Sequence, residues 1–169
     1  DHTKAVTLVE EIASSARQMG DDMNDIIWAI NPDNDQFESV INRLRNFASR
    51  ISESRDIVLD FKFDQSLLNY NIGMETRKNL YLICKEAINN SVKYSGGKNL
   101  KVHFSNPARS ILRVMVTDDG AGFNPEAGAE GNGLRNMKHR ATLLNAVLEI
   151  ASEPGKGTVV SLMMEIGRG

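Results

Sequence analysis

The stretch from Asn79 to Ser95, NLYLICKEAINNSVKYS, constrains the fold more than any other. Read as a helix, it stacks Glu86, Asn89, Asn90 and Lys93 at i, i+3, i+4 and i+7 into one polar stripe. Leu80, Ile83, Cys84, Ala87 and Ile88 form an apolar stripe on the adjoining face. A plain surface helix prefers Glu and Lys at four-residue spacing. It has little use for two adjacent Asn with poor helix propensity. The stripe is therefore either the wet side of an amphipathic helix or the edge of a ligand site, and downstream residues must decide.

The other segments supply a sheet for that helix to cover. Residues 57 to 63, 100 to 105, 111 to 117, 147 to 151 and 158 to 166 alternate or are β-branched, as strands do. Residues 134 to 144 have helical spacing, and 107 to 108 and 153 to 157 read as turns. After residue 56 the order is strand, helix, strand, strand, loop, helix, strand, strand. That order predicts an α+β domain, a two-layer α/β sandwich with a mixed sheet and helices on one face.

Two helices precede it. From Thr3 to Ile30, Val6, Val9, Ala13, Ala16, Gly20, Met23, Ile27 and Ile30 recur three and four apart, and Ile12, Met19 and Ile26 widen the stripe. This is heptad spacing suited to a bundle, and one helix cannot bury it alone. The expected partner is a missing helix or a second copy, with packing on the helix's own domain as the alternative. Asn31-Pro32-Asp33-Asn34 breaks the helix. A second helix follows from about Asp35 to Ser54, with Phe37, Val40, Ile41, Leu44, Phe47, Ala48 and Ile51 inward. Residues 1–32 thus form one unit and 33–169 another. No Met opens the chain, and the start at Asp1 reads as the middle of a longer protein.

Composition excludes several classes. Of 169 residues, 41% are hydrophobic and 25% charged, as in a globular chain, and a net charge of −2 gives no reason to expect nucleic acid. Cys84 stands alone, fits a reducing compartment and reads as a small buried apolar residue.

Three sites carry the chemistry. The first is the stripe with Glu86, Asn90 and Lys93. The second is Asp118 at a strand end, followed by Gly120 and Gly122. The third is Gly131-Asn132-Gly133-Leu134 at a helix start. Glycines two apart let a ligand approach the backbone. A helix N-terminus presents N–H groups to a phosphate. Asn and Glu oxygens suit a hydrated Mg²⁺, and Lys93 can offset phosphate charge. Gly131 to Asn136 lacks the third glycine of a dinucleotide fingerprint. Gly155-Lys156-Gly157-Thr158 is not a Walker A end, because a strand follows it where a helix is needed. The segment from Asn124 to Gly133 has no periodicity and reads as a mobile loop.

In this order, the Asn-containing stripe, Asp118-x-Gly120-x-Gly122, Gly131-x-Gly133-Leu134 and Gly155-Lys156-Gly157-Thr158 resemble the N, G1 and G2 boxes and last strand of the GHKL ATPases. Over residues 35 to 169 the chain is similar to the catalytic and ATP-binding domain of a bacterial sensor histidine kinase of the LytS/NarL-like, HisKA_3-type group. Residues 26 to 32, IIWAINP, resemble the second dimerisation helix of such kinases, especially Bacteroidetes-type receptors.

The resemblance implies a Bergerat ATP-binding fold preceded by a long N-terminal helix, with ATP and Mg²⁺ as ligands. Asn90 would hold Mg²⁺, and Glu86 would orient water in the metal shell or act as a base. Lys93 and Tyr94 would touch phosphates. Asp118 would accept from the adenine amino group, supported by Thr158. Gly120, Gly122, Gly133 and Leu134 would shape the pocket and its lid, where Phe123 is the only aromatic candidate. The implied partners are a response regulator receiver domain and a second copy joined through the N-terminal helix. The implied location is the cytoplasmic portion of a receptor, membrane-anchored or not. None of His2, His103 and His139 is followed by an acidic residue, so the phosphoacceptor histidine is expected to lie outside this chain. An anti-sigma-type serine kinase of the same fold and a non-catalytic nucleotide-sensing dimerisation module are the alternatives.

Overall fold

The structure is a computed structural model that describes residues 2–124 and 131–167. Helix α1 (His2–Ile30) leads through a 3₁₀ turn at Pro32–Asn34 into α2 (Phe37–Glu53). Strand β1 (Val58–Phe63) and a 3₁₀ turn at Gln65–Asn69 precede α3 (Met74–Tyr94). Strands β2 (Asn99–Ala108) and β3 (Ile111–Asp118) form a hairpin. Helix α4 (Asn132–Leu143), β4 (Val147–Ser152) and β5 (Thr158–Glu165) complete the chain.

The five strands lie in the order β1-β2-β3-β5-β4, with β1 parallel to β2 and the remaining pairs antiparallel. The mixed two-layer α+β architecture expected from the strand and helix order is the one observed. Alternation explains the single covered face. Leu100, Val102 and Phe104, then Leu112, Val114 and Val116, then Val160, Leu162 and Met164 all point into the core. Lys101, His103 and Arg113 between them are exposed. Phe104 meets Phe37 of α2 edge-on at 6.2 Å and stacks on Phe61 at 5.8 Å.

The structure differs from these expectations in three details. Helix α3 begins at Met74, five residues before the stretch that betrays it. Phe47 and Ile51 of α2 are half-buried rather than enclosed. Pro107 and Ala108, expected in a turn, belong to β2, and the register shifts between Ser105 and Ala108. Proline lacks an N–H and is tolerated in such a bulge. Asn106 closes it, its N–H donating to Asp64 and its side-chain amide to the Ile111 carbonyl. Cys84 is buried as expected, and burial pushes its thiol up to about 12.

Helix α1 rests on this layer by its last two turns only. Val6, Val9, Ile12, Met19, Met23, Ile26, Ile27 and Ile30 are all exposed, so the heptad stripe has no partner within the described residues. What docks is Asp25, Trp28 and Ala29. Asp25 accepts from Arg43 at 2.8 Å, from Tyr81 at 2.8 Å and from Lys85 at 2.5 Å. The Trp28 ring lies 5.1 Å from that of Tyr81, with the Arg43 guanidinium 4.7 Å above it. The end of α1 is closed by Arg77, which is fully buried. It donates to the Ala29 carbonyl at 2.6 and 2.9 Å, to Asn31 at 3.0 Å, to Ile72 at 3.2 Å and to Asp35 at 2.5 Å. A helix C-terminus leaves carbonyls unpaired and partly negative, and α1 has no basic residue in its own last turn. Arg77 supplies that charge from α3.

Two outcomes follow from this junction. Arg77→Met keeps an unbranched apolar stem but removes the guanidinium and strands buried carbonyls, so it should destabilise the chain by about 3 kcal/mol. A urea midpoint equal to wild type would show that the clamp adds nothing. Acid is the second lever. Burial raises the Asp25 pKa, but the hydrogen bonds from Lys85, Arg43 and Tyr81 outweigh it and hold the carboxyl below its usual value. Its contribution is therefore complete above the ordinary carboxylate range and is lost as pH falls through the folded-state pKa. Stability measured from neutral pH downward should fall less steeply in Asp25→Asn than in wild type.

Candidate functional site

Strand pairing builds one wall of the site. Asp118 ends β3, with Leu100 beside it on β2 and Thr158 beside it on β5. Thr158 thus stands next to Asp118 because of register. Asp118 is 5% exposed, yet it lines a pocket of about 620 Å³. Both its oxygens are held. Ser91 of α3 donates to Oδ2 at 2.9 Å, and the Gly120 N–H donates to Oδ1 at 3.0 Å. A carboxylate held this way keeps a defined orientation toward the pocket without rotating to find partners.

Helix α3 forms the second wall. Glu86, Asn90 and Tyr94 recur every four residues and line the pocket, with Ala87 and Ser91 between them. The start of α4 forms the third, through Gly131, Asn132, Gly133 and Leu134. Its cap residue is Gly131, and no side chain caps it, so the first N–H groups stay available. At Gly133 a Cβ would overlap the Glu86 carboxylate, which would have to move, and would approach the Asn90 amide to 3.5 Å. Arg140 of α4 donates to Asn79 of α3 at 3.1 Å and ties these walls together.

Gly120 and Gly122 shape the fourth side. A Cβ on Gly120 would overlap the Ser95 backbone, and Gly122 has a φ of +61°. The turn is fastened by the Ala121 N–H to the Ser95 carbonyl at 2.7 Å and the Gly155 N–H to the Ala121 carbonyl at 2.6 Å. Ser152 shares a hydrogen bond with Thr158 at 3.0 Å and accepts from the Phe123 N–H at 2.9 Å.

The structure therefore brings Glu86, Asn90, Tyr94, Asp118, Gly122, Gly133, Leu134 and Thr158 around one pocket, with Phe123 at its rim. Gly120 acts beside it by close packing. Lys93 stands elsewhere: with Asn89 it lines a groove of about 790 Å³ on the other side of α3. The polar stripe of α3 is thus divided between two depressions. Most of the expected lid, residues 125–130, lies outside the described residues. His103 and His139 are exposed. Among the described residues no group of three His, Cys, Asp or Glu could hold a metal, and no helix is long and apolar enough to cross a membrane.

Sequence reasoning missed Ser91 and Met137. Ser91 sits one position after Asn90 and reads as an ordinary small residue until its reach to Asp118 is known. Met137 is buried at the pocket edge and reads as core.

Comparison with known proteins agrees with this geometry. Residues 75–168, more than half of the chain, match the family described as "Histidine kinase-, DNA gyrase B-, and HSP90-like ATPase". Sensor protein VraS of Staphylococcus haemolyticus is 28% identical over 121 residues, covering 68% of this chain and 34% of that protein. An uncharacterized sensor-like histidine kinase of Chloroflexus aurantiacus is 23% identical over 175 residues, covering 98% and 29%. The chain spans about a third of the length of these curated relatives. In fold, it is similar to the histidine kinase domain of the Erythrobacter litoralis EL346 blue-light activated histidine kinase. There the TM-score is 0.65 at 21% identity, covering 75% of this chain and 61% of that one. It is also similar to the Acinetobacter baumannii histidine kinase AdeS, with a TM-score of 0.68 at 12% identity, covering 96% and 85%. The chain belongs to the histidine kinase-, DNA gyrase B- and HSP90-like ATPase family.

Proposed function

We propose that this chain is the kinase core of a two-component sensor of the HisKA_3 group, Bacteroidetes type, and that it binds ATP with Mg²⁺. Residues 1–32 serve as the trailing dimerisation helix and 33–169 as the catalytic unit. The γ-phosphoryl passes to a histidine in the parent protein and then to an aspartate on a response regulator. The observation that carries this reading is Asp118: a buried carboxylate, fixed by Ser91 and Gly120, facing a pocket whose opposite wall is an uncapped helix start.

The residues present suit a hydrated magnesium nucleotide. Asn90 and Glu86 offer oxygens from one side of the pocket, and Mg²⁺ takes few protein ligands while keeping waters and phosphates. The N–H groups at the start of α4 face the same space and favour anionic oxygen. Asp118 accepts from the adenine amino group, with Thr158 beside it. Mg²⁺ supplies charge neutralisation when bound, and the protein contributes positioning rather than covalent chemistry. Tyr94 is 78% exposed at the pocket mouth, where it can reach phosphate. Lys93 reaches phosphate only by swinging its exposed side chain across the end of α3. The alternatives, a serine kinase of the same fold and a non-catalytic sensing module, have no observation in their favour. The apolar stripe exposed on α1 supports a homodimer in the parent protein.

Calorimetry tests these assignments. Asp118→Ala should lose roughly ten- to a hundredfold in ATP affinity, the value of a hydrogen bond to a charged group. Wild-type affinity in that variant, or equal binding of GTP by the wild type, would remove the adenine role. Asn90→Ala should lose the gain in affinity that Mg²⁺ brings while keeping metal-free binding. Ser91→Ala should weaken ATP binding by about fivefold, since Asp118 keeps its bond to Gly120 but loses half its orientation. An unchanged Kd would show that Gly120 alone suffices.

A further inference from the structure

Helix α3 is shared between two sites. Arg77, Tyr81 and Lys85, four residues apart, hold the end of α1. Glu86, Asn90 and Tyr94, also four apart, line the nucleotide pocket. The two stripes lie on opposite sides of α3 and are offset along it by about 13 Å at 1.5 Å per residue. The end of α1 is acidic: Asp21, Asp22 and Asp25 fall in it, and its last turn holds no basic residue. Asp25 engages Arg43 and Lys85, and Asp22 lies 3.3 Å from Lys85.

We propose that docking of α1 and binding of an anionic nucleotide are negatively linked through α3; this rests on the nucleotide reading of the pocket. The cations Arg43, Lys85, Arg50 and Lys93 belong to the catalytic layer and stay with it whether or not α1 is docked. Of the charges on α1, Asp21, Asp22 and Asp25 are those at its docked end, while Glu10 and Arg17 lie further up the helix. Docked, Asp22 and Asp25 neutralise Arg43 and Lys85, and together with Asp21 they place negative charge behind the wall that faces the phosphates. Nucleotide and α1 therefore repel across α3, and each weakens the other by the same factor. Trp28 carries no charge itself, but it lies against Tyr81 and beneath the Arg43 guanidinium, so its emission reports on the state of the junction.

The chain supplies its own probe, because Trp28 is its only tryptophan and sits inside the junction. Two measurements are needed on the full chain: calorimetry with Mg²⁺ and a non-hydrolysable ATP analogue, and Trp28 emission during the same titration. At about 10 mM salt, Asp21→Asn/Asp22→Asn/Asp25→Asn should bind the analogue roughly three- to tenfold more tightly than wild type. The difference should close at about 1 M salt, where the Debye length is only about 3 Å. Trp28 emission of the wild type should shift to the red as the analogue binds at low salt. Uncharged adenosine should bind both proteins equally and leave Trp28 unmoved. Binding of the analogue with equal affinity in both proteins and constant Trp28 emission would overturn the linkage and leave the nucleotide pocket standing. A matching gain for adenosine would overturn it too, since the variant would then act through structure rather than charge. No binding heat in either protein would remove the nucleotide reading and this inference with it.

Discussion

Everything in this domain depends on how α3 is pressed onto the sheet. Leu80, Ile83, Cys84, Ala87 and Ile88 are all at or below 1% exposure. At about 1.5–3 kcal/mol for each large side chain, no other rotation of the helix competes. Once that face is fixed, the remaining faces have no freedom. One must present Arg77, Tyr81 and Lys85 to α1, and the other must present Glu86, Asn90 and Tyr94 to the pocket. The polar residues are positioned by burial of their apolar neighbours.

The site is completed by pairing rather than by chain order. Asp118 and Thr158 are forty residues apart in sequence but opposite one another across β3 and β5. Ser91 reaches Asp118 because β3 ends beneath the last turns of α3. Asp119, the next residue, turns outward and clips the start of β2, accepting from the backbone of Lys98 and Asn99 at 2.8 Å each. The Asn99 side-chain amide, which donates to its other oxygen at 2.6 Å, and these backbone bonds hold its carboxyl below the usual value. Two adjacent carboxylates thus divide the work, one fixing the loop and one facing the pocket.

The junction with α1 combines two opposed designs. Its polar part, around Asp25 and Arg77, is buried and hydrogen-bonded, and removing either partner strands a charge or a carbonyl. Yet α1 commits only two turns to it and leaves a long apolar stripe exposed. The sheet-and-helix layer holds the end of α1 by charge and hydrogen bonds.

Much of this was legible in residues alone. Period-two alternation in β2, β3 and β5 and the apolar stripe of α3 report which faces are buried, because burial acts on local periodicity. The spacing of Glu86 and Asn90, the glycines after Asp118 and those before Leu134 pointed to residues that now surround one pocket, for the same local reason: helical pitch, backbone freedom and free N–H groups are properties of short segments. What no segment carries is which distant side chain will meet it. Arg77 reads as a solvated residue on an amphipathic helix until the end of α1 is placed over it. Ser91 reads as filler until β3 ends beside it. Lys93 shares a stripe with Asn90, yet a helix is round, and three residues of rotation are enough to turn its side chain toward a different groove. Only the tertiary structure, by choosing what lies on each side of α3, could divide that stripe.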